Sequence, residues 1–238
     1  MVTTVLFDLD GTLLPIDMDA FLKRYFYLLT MRVNEVVPVD NLVDRVWRST
    51  RAMINNLDPA KTNRQAFMED FLPDIGHPPD ALMSVFDRFY EQDFSSLQDG
   101  IAASESARAA VDWAFRHGCD VVIATNPIFP ERAIRERLRW AGVEDFNYRL
   151  VTTYENMHFC KPRIEYYEEI LDRVSRRPED CLMVGNDVEE DLAASRLGMR
   201  TFLVTDFLEN PRQKQYYADF EGTLADLARF LKDELPKV

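Results

Sequence analysis

The sequence predicts an α/β protein: a parallel sheet of about five strands, with an all-helical unit inserted after the first of them. Three observations carry that expectation. The apolar run Val5-Leu6-Phe7 ends abruptly in Asp8-Leu9-Asp10-Gly11-Thr12, as a strand ends at a turn. After Leu13-Leu14-Pro15 the hydrophobic period becomes helical and stays so for about eighty residues. Beyond Gln98-Asp99-Gly100, short apolar runs alternate with capped helical segments, the pattern of a parallel sheet with crossover helices.

The elements follow in order. Side chains alternate faces along a strand, so Asp8 and Asp10 share a side only if the first strand persists, and Gly11 lets the backbone turn just beyond them. Two acids crowded there need a cation or a proton between them. In the helical stretch, Met18, Phe21, Leu22, Tyr25, Leu28 and Leu29 form one stripe, with Asp17 as its amino-terminal cap. Val43, Val46, Trp47, Met53, Ile54 and Leu57 form a second, and Phe67, Met68, Phe71 and Leu72 a third. Pro79-Asp80 opens a fourth, with Leu82, Phe86, Phe89 and Tyr90 inward. A helix over 104–117 then ends at Gly118, and a strand follows over 119–125. Pro130 starts a helix that Gly142 terminates, before a strand over 148–153. Pro162 starts a helix to about Ser175, and a strand spans 181–185. A helix to Leu197 ends at Gly198, and a strand over 201–204 closes the series. The core is therefore discontinuous, residues 1–14 and 98–238, interrupted by a helical unit over 15–97. Ligands of open parallel sheets bind beyond the carboxyl ends of the strands, and the inserted unit must sit above that edge.

A chain of 238 residues is one large domain or two modest ones, and 47% apolar with 29% charged residues is an ordinary globular composition able to bury a core. No stretch approaches the ~20 apolar residues of a membrane span. Lys and Arg number 28 against 41 Asp and Glu, and a net charge of −13 argues against a nucleic-acid partner. A small phosphorylated substrate remains open, because a bound metal and local charge decide that. From Lys23 to Arg64 there are eight basic and four acidic residues, and Lys23, Arg24, Arg45, Arg48 and Arg51 are candidates for holding an anionic group. Cys119, Cys160 and Cys181 are widely spaced without a CxxC pair, which reads as buried, reduced thiols in a cytoplasmic protein. The amino terminus has no signal-peptide pattern. His77, His117 and His158 are scattered without ligand spacing.

Asp8-Leu9-Asp10-Gly11-Thr12 resembles the DxDGT motif that opens the haloacid dehalogenase-like phosphohydrolases. That family carries four signatures at the ends of different strands, and the chain offers a candidate for each in the right order. By this resemblance Asp8 is the nucleophile, since a carboxylate can attack phosphorus and split one hard hydrolysis into two displacements. Asp10 is the general acid that protonates the leaving oxygen and later activates water. An acid at that position favours phosphate over carbon–halogen chemistry. Thr125, in Ala124-Thr125-Asn126, matches the second signature, a hydroxyl for a phosphoryl oxygen, with Asn126 offering its backbone N–H. Lys161, in Cys160-Lys161-Pro162, matches the third, a fixed cation beside the developing negative charge.

The fourth signature is the run from Asn186 to Asp191. Magnesium prefers hard oxygen ligands and keeps several waters, and the resemblance implies that Asp8, Asp187 and the Asp10 backbone carbonyl would hold it. In the commonest family pattern Gly is followed directly by Asp. Counting back from Gly198 places Asn186 in that slot, and Glu190 rather than Asp191 in the later acidic one. A carboxylate binds magnesium better than an amide, so Asp187 is preferred, with Asp191 and Asn186 secondary. The register stays open by one residue. Glu189 and Glu190 also suit an acidic helix amino terminus.

The resemblance implies a Rossmann-like core whose helical insert is a cap closing over the substrate. The implied activity is magnesium-dependent hydrolysis of a small phosphomonoester, a phosphosugar, phosphoglycolate or nucleotide monophosphate, through an aspartyl-phosphate on Asp8. The expected partner is such a metabolite, with neither nucleic acid nor membrane. Rival expectations are a phosphosugar mutase, a phosphonate hydrolase using a cap lysine (Lys23 or Lys61), and a binding protein without turnover. Phe21, Tyr25, Phe26 and Tyr27 default to core packing, the alternative being that one lines the substrate chamber.

Overall fold

The computed structural model describes residues 2–73 and 75–233. Six parallel strands form one sheet: β1 (Thr4–Phe7), β2 (Asp120–Ile123), β3 (Leu150–Val151), β4 (Cys181–Gly185), β5 (Arg200–Val204) and β6 (Phe220–Gly222). Their spatial order is β3-β2-β1-β4-β5-β6. The chain thus builds outward on one side of β1 and then returns to build on the other, so the order reverses at β1. In register, Phe7 lies beside Ile123 on one flank and Val184 on the other. The residues that follow these three strands therefore meet at one edge, the place where such sheets bind ligands.

The strands are continuous apolar runs because both faces are covered. Val5, Phe7, Val121, Ile123, Leu182 and Val184 face helices α5 (Glu105–Arg116), α6 (Glu131–Trp140) and α8 (Leu224–Asp233). Leu6, Val122 and Met183 face α7 (Ile164–Val174), through Tyr166, Tyr167 and Ile170.

Between β1 and β2 lie α1 (Met18–Val36), α2 (Leu42–Asn55), α3 (Asn63–Phe71) and α4 (Pro79–Arg88), followed by a π-helical turn (Phe89–Asp93) and a 3-10 turn (Phe94–Gln98). Asp17 caps α1 by accepting the Ala20 N–H at 3.0 Å. Thr62 and Gln65 form a reciprocal capping box on α3. This helical unit is seated on the sheet edge: the Asn63 and Arg64 N–H groups donate to the Met157 and Tyr154 carbonyls, both at 2.7 Å. Among the described residues no helix is long and apolar enough to cross a membrane.

The fold differs from expectation at its end and in three details. A sixth strand and α8 follow the strand expected to close the series. β6 is three residues long, too short to show a period. The helix expected to reach Leu197 is a short 3-10 segment, Leu192–Leu197. The strand expected over 148–153 pairs only through Leu150 and Val151, because Tyr148 turns back to donate its hydroxyl to the Val143 carbonyl at 2.6 Å. The helix expected from Pro162 begins at Ile164.

Candidate active site

Asp8 is the first residue beyond β1, 7% exposed, and its N–H is fixed by the Val184 carbonyl at 2.8 Å. Lys161 is 1% exposed, and its Nζ donates to Asp8 Oδ1 at 2.8 Å and to Asp191 Oδ1 at 2.6 Å. The other Asp191 oxygen accepts the Asp187 N–H at 2.9 Å. A Cβ at Gly185 would lie 2.1 Å from that carboxylate, so only glycine lets Asp191 reach beneath the strand end. Burial disfavours the Lys161 ammonium, but Asp191 and Asp8 outweigh it and hold its pKa well above the usual lysine range. Two buried carboxylates share this one ammonium. Burial, with the charge of Asp8 added and Lys161 opposing, raises Asp191 above the usual carboxylate range.

The turn after β1 is fixed from the fourth signature. Gly11 has φ +79°, and a Cβ there would come within 2.4 Å of the Asn186 amide. Asn186 accepts the Thr12 hydroxyl at 2.9 Å and donates to the Phe207 carbonyl at 2.7 Å. Both ends of its side chain are engaged in holding loops together. Asp187 Oδ1 accepts the Glu189 and Glu190 N–H groups at 2.6 and 2.7 Å. Its second oxygen carries no hydrogen bond among the described residues. Asp191, expected as outer support for a metal, is instead the second anchor of Lys161.

Thr125 is buried at the end of β2, and its carbonyl accepts the Thr152 and Tyr166 hydroxyls at 2.7 and 2.9 Å. Those bonds fix the loop from behind. Asn126, expected to act through its backbone, has its side chain engaged: Nδ2 donates to both Glu190 oxygens at 2.9 and 3.0 Å. Burial pushes Glu190 up to about 8, with Lys161 opposing and Asp187 and Asp191 adding to the rise.

Two residues here escaped the sequence reading. Arg137, fully buried on α6, donates Nη1 to Asp10 Oδ2 and lies over the Phe129 ring at 4.5 Å. It sits in an arginine-rich stretch that reads as solvated, yet its spacing from Ala133, Ile134, Leu138 and Ala141 puts it on the buried face. That spacing was the available signal. Burial raises the Asp10 pKa, Arg137 opposing and Asp8 adding. Glu209 is the other: its N–H donates to the Asn186 carbonyl at 2.9 Å and its carbonyl accepts the Val188 N–H at 3.0 Å, beside Asp187. Burial raises Glu209, with Asp187, Asp19, Asp8 and Asp10 contributing. No local sequence signal marks it.

Among the described residues, no three His, Cys, Asp or Glu side chains form a metal cage of their own. The set implied for magnesium needs only two carboxylates and a carbonyl. Asp8 and Asp187 each keep one oxygen without a hydrogen bond among the described residues, and the Asp10 carbonyl accepts none in the turn that joins Leu9, Gly11 and Leu14. Those three oxygen donors suit a hard cation that retains several waters.

A cavity of about 590 Å³ lies between the helical unit and the chain following Asn126. Tyr25, Phe26, Trp47, Phe67, Tyr90 and Phe129 line it, and none of Asp8, Asp10, Thr125 or Lys161 does. Tyr25 and Phe26 therefore face a chamber, while Phe21 packs in the core and Tyr27 is exposed. The basic residues proposed from sequence do not line it. Arg24 is drawn to the Asp99 carbonyl, Arg45 to the Asp40 carbonyl and Arg48 to Asp70, while Lys23 and Arg51 are exposed. The arginines at this cavity are Arg64, Arg132 and Arg135.

Cys119, Cys160 and Cys181 are free and buried. His77 and His117 are tied to the Pro38 and Trp113 carbonyls, and His158 to Glu169. Lys61 pairs with Glu69 at 2.7 Å, and neither Lys61 nor Lys23 lines the cavity.

Over residues 2–198 the chain matches the haloacid dehalogenase-like hydrolases, and it belongs to that family. It is 23% identical over 230 residues to pyrophosphatase PpaX from Oceanobacillus iheyensis, a match covering 92% of this chain and 91% of the relative. A HAD phosphatase from Thermococcus onnurineus shares the fold with a TM-score of 0.59 at 20% identity, over 100% of both chains. The YfnB structure from Bacillus subtilis, with magnesium bound, has a TM-score of 0.55 at 20% identity, covering 97% of this chain and 98% of YfnB.

Proposed function

We propose that this chain is a magnesium-dependent phosphatase that hydrolyses a small phosphomonoester through an aspartyl-phosphate on Asp8. The observation that carries the reading is the buried Lys161 ammonium shared by Asp8 Oδ1 and Asp191, with the second Asp8 oxygen left free of it. A carboxylate held by one oxygen against a fixed cation is oriented for attack through the other. Asp10, two residues on and partly buried, is the acid for the leaving oxygen. Thr125 and the Asn126 N–H are read as donors to the phosphoryl oxygens, beside Lys161, whose charge opposes that of the transition state.

Asp8, Asp187 and the Asp10 carbonyl would hold magnesium. Bound there, it supplies the positive charge that lets one anion approach another. Residues 1–14 and 98–238 are assigned as the catalytic core and 15–97 as the cap, in a cytoplasmic protein. Its partner is a small phosphorylated metabolite and not a nucleic acid, in keeping with the charge of −13.

The aromatic cavity supports an organic leaving group with an apolar part. Arg132 pairs with Glu91 and Arg135 with Glu131, so these rim charges are already matched. The similarity to PpaX favours a second reading, hydrolysis of pyrophosphate. Incubating the protein with magnesium, pyrophosphate and a panel of phosphosugar, phosphoglycolate, nucleotide and aryl monophosphates tests both. The proposal expects phosphate release that a chelator and Asp8→Asn each abolish. Turnover surviving Asp8→Asn removes the aspartyl-phosphate.

A further inference from the structure

Among the described residues, Arg137 is the one fully buried cation that touches a residue of the proposed reaction and has no part in it so far. It reaches the site from α6, a crossover helix of the core, and not from any of the four sequence signatures. Its Nε donates to the Ala133 carbonyl at 3.3 Å and its Nη1 to Asp10 Oδ2, while Nη2 is buried without a partner. The guanidinium is flanked by the Phe129 and Phe21 rings, with its centre 4.5 and 6.0 Å from their centroids. Stacked on rings and anchored to its own helix, it has little freedom to move. Asp10 Oδ1 is also buried without a partner. The pair is thus joined through one oxygen and one nitrogen only, although guanidinium and carboxylate can pair through two of each. A buried polar atom without a partner is costly, and a ligand atom that meets it recovers the loss.

We propose that Arg137 is a positioning residue that grips Asp10 by Oδ2 and so presents Oδ1 to the leaving oxygen of the substrate. This rests on the reading of Asp8 as nucleophile and Asp10 as acid. In the first displacement an Asp8 oxygen bonds to phosphorus and the bond from phosphorus to the leaving oxygen breaks. Its electron pair stays on that oxygen, which takes the proton from Asp10 Oδ1. Asp10 is left as a carboxylate against Arg137. In the second displacement Asp10 takes a proton from water, whose oxygen bonds to phosphorus as the bond to Asp8 breaks.

Two esters of similar size separate this role from a structural one. Phenyl phosphate depends on protonation of its departing oxygen far more than p-nitrophenyl phosphate does. In Arg137→Met, kcat/KM, which reports the step in which the leaving oxygen departs, is expected to fall roughly 10²-fold for phenyl phosphate and by about tenfold less for p-nitrophenyl phosphate. Arg137→Lys keeps the charge without the planar fork, is expected to fall between wild type and Arg137→Met on phenyl phosphate, and carries the test if the Met variant does not fold. Equal losses on the two esters in a folded variant overturn the inference. With Asp8→Asn inactive in parallel, that result leaves the aspartyl-phosphate reading standing. Turnover by Asp8→Asn overturns both.

Discussion

At the residue scale the site is governed by an excess of buried acid around one ammonium. Lys161 faces Asp8 and Asp191, while Glu190 lies behind them and is raised by burial to about 8 from a usual value of 4.5. In the folded chain Glu190 holds a proton that the unfolded chain releases. Stability therefore falls as pH rises from the unfolded value toward about 8, and levels above it. The buried Asp191 adds to this with the same sign. For Glu190 the slope is at most about 1.4 kcal/mol per pH unit. Glu190→Gln, which mimics the protonated form and keeps an acceptor for Asn126, is expected to flatten that decline. Urea unfolding in the presence of a chelator at about pH 5, 6, 7 and 8 measures it; an unchanged slope in the variant assigns the dependence elsewhere. Asp8 and Asp10 were legible because they sit where a strand ends beside Gly11, and Lys161 because it precedes the Pro162 that opens a helical segment. Arg137 and Glu209 were missed: the spacing of Arg137 shows only that it lies on the buried face of α6 and not that it reaches Asp10, and no local signal marks Glu209. At the open register, Asn186 is hydrogen-bonded to Thr12 and Phe207, while Asp187 keeps one oxygen without a hydrogen bond among the described residues.

At the scale of elements, α3 fastens the helical unit to the two loops that carry Thr125 and Lys161. Asn63, its first residue, is fully buried and donates Nδ2 to the Pro127 and Phe159 carbonyls at 3.3 and 3.2 Å. Pro127 follows Asn126 and Phe159 precedes Cys160-Lys161, so one side chain ties both loops to the helical unit. Arg163, two residues past Lys161, adds a bond from Nε to the Ile54 carbonyl at 3.1 Å. Asn63→Ala leaves both Asn63 carbonyl partners without that donor, a loss of about 1–3 kcal/mol. If the clasp is local to the seam, hydrogen exchange at 126–129 and 157–163 should rise more than in β1 or β4. A uniform rise across the sheet would make Asn63 part of the global core instead. The capping pattern of Thr62 with Gln65 is a local signal for the start of α3 at Asn63, but nothing local shows that its first turn meets loops nearly a hundred residues away.

At the scale of the whole molecule, the order reversal at β1 brings the residues that follow β1, β2 and β4 to one edge, where α3 of the inserted unit is seated. Composition and periodicity could assign Tyr25, Phe26 and Trp47 to helical stripes, but a stripe reads the same whether it faces a core or a chamber. What distinguishes the two is whether neighbouring helices close on each other, and here α1, α2, α3 and α4 leave about 590 Å³ between them and the chain after Asn126. A space of that size suits a small organic ligand. Met83 on α4 lines it and is partly exposed, so Met83→Trp fills the cavity without entering the closed core. A substrate whose organic part occupies this space must then compete with the new indole, whereas pyrophosphate has no organic part to lose. For an aryl phosphate the ratio kcat/KM should fall about tenfold more than for pyrophosphate, about 1.4 kcal/mol of lost contact. Parallel falls on the two substrates would mean that the chamber takes no part in choosing between them, and that selectivity is set at the sheet edge, where the Glu209 carboxyl feels the charges of Asp187, Asp19, Asp8 and Asp10.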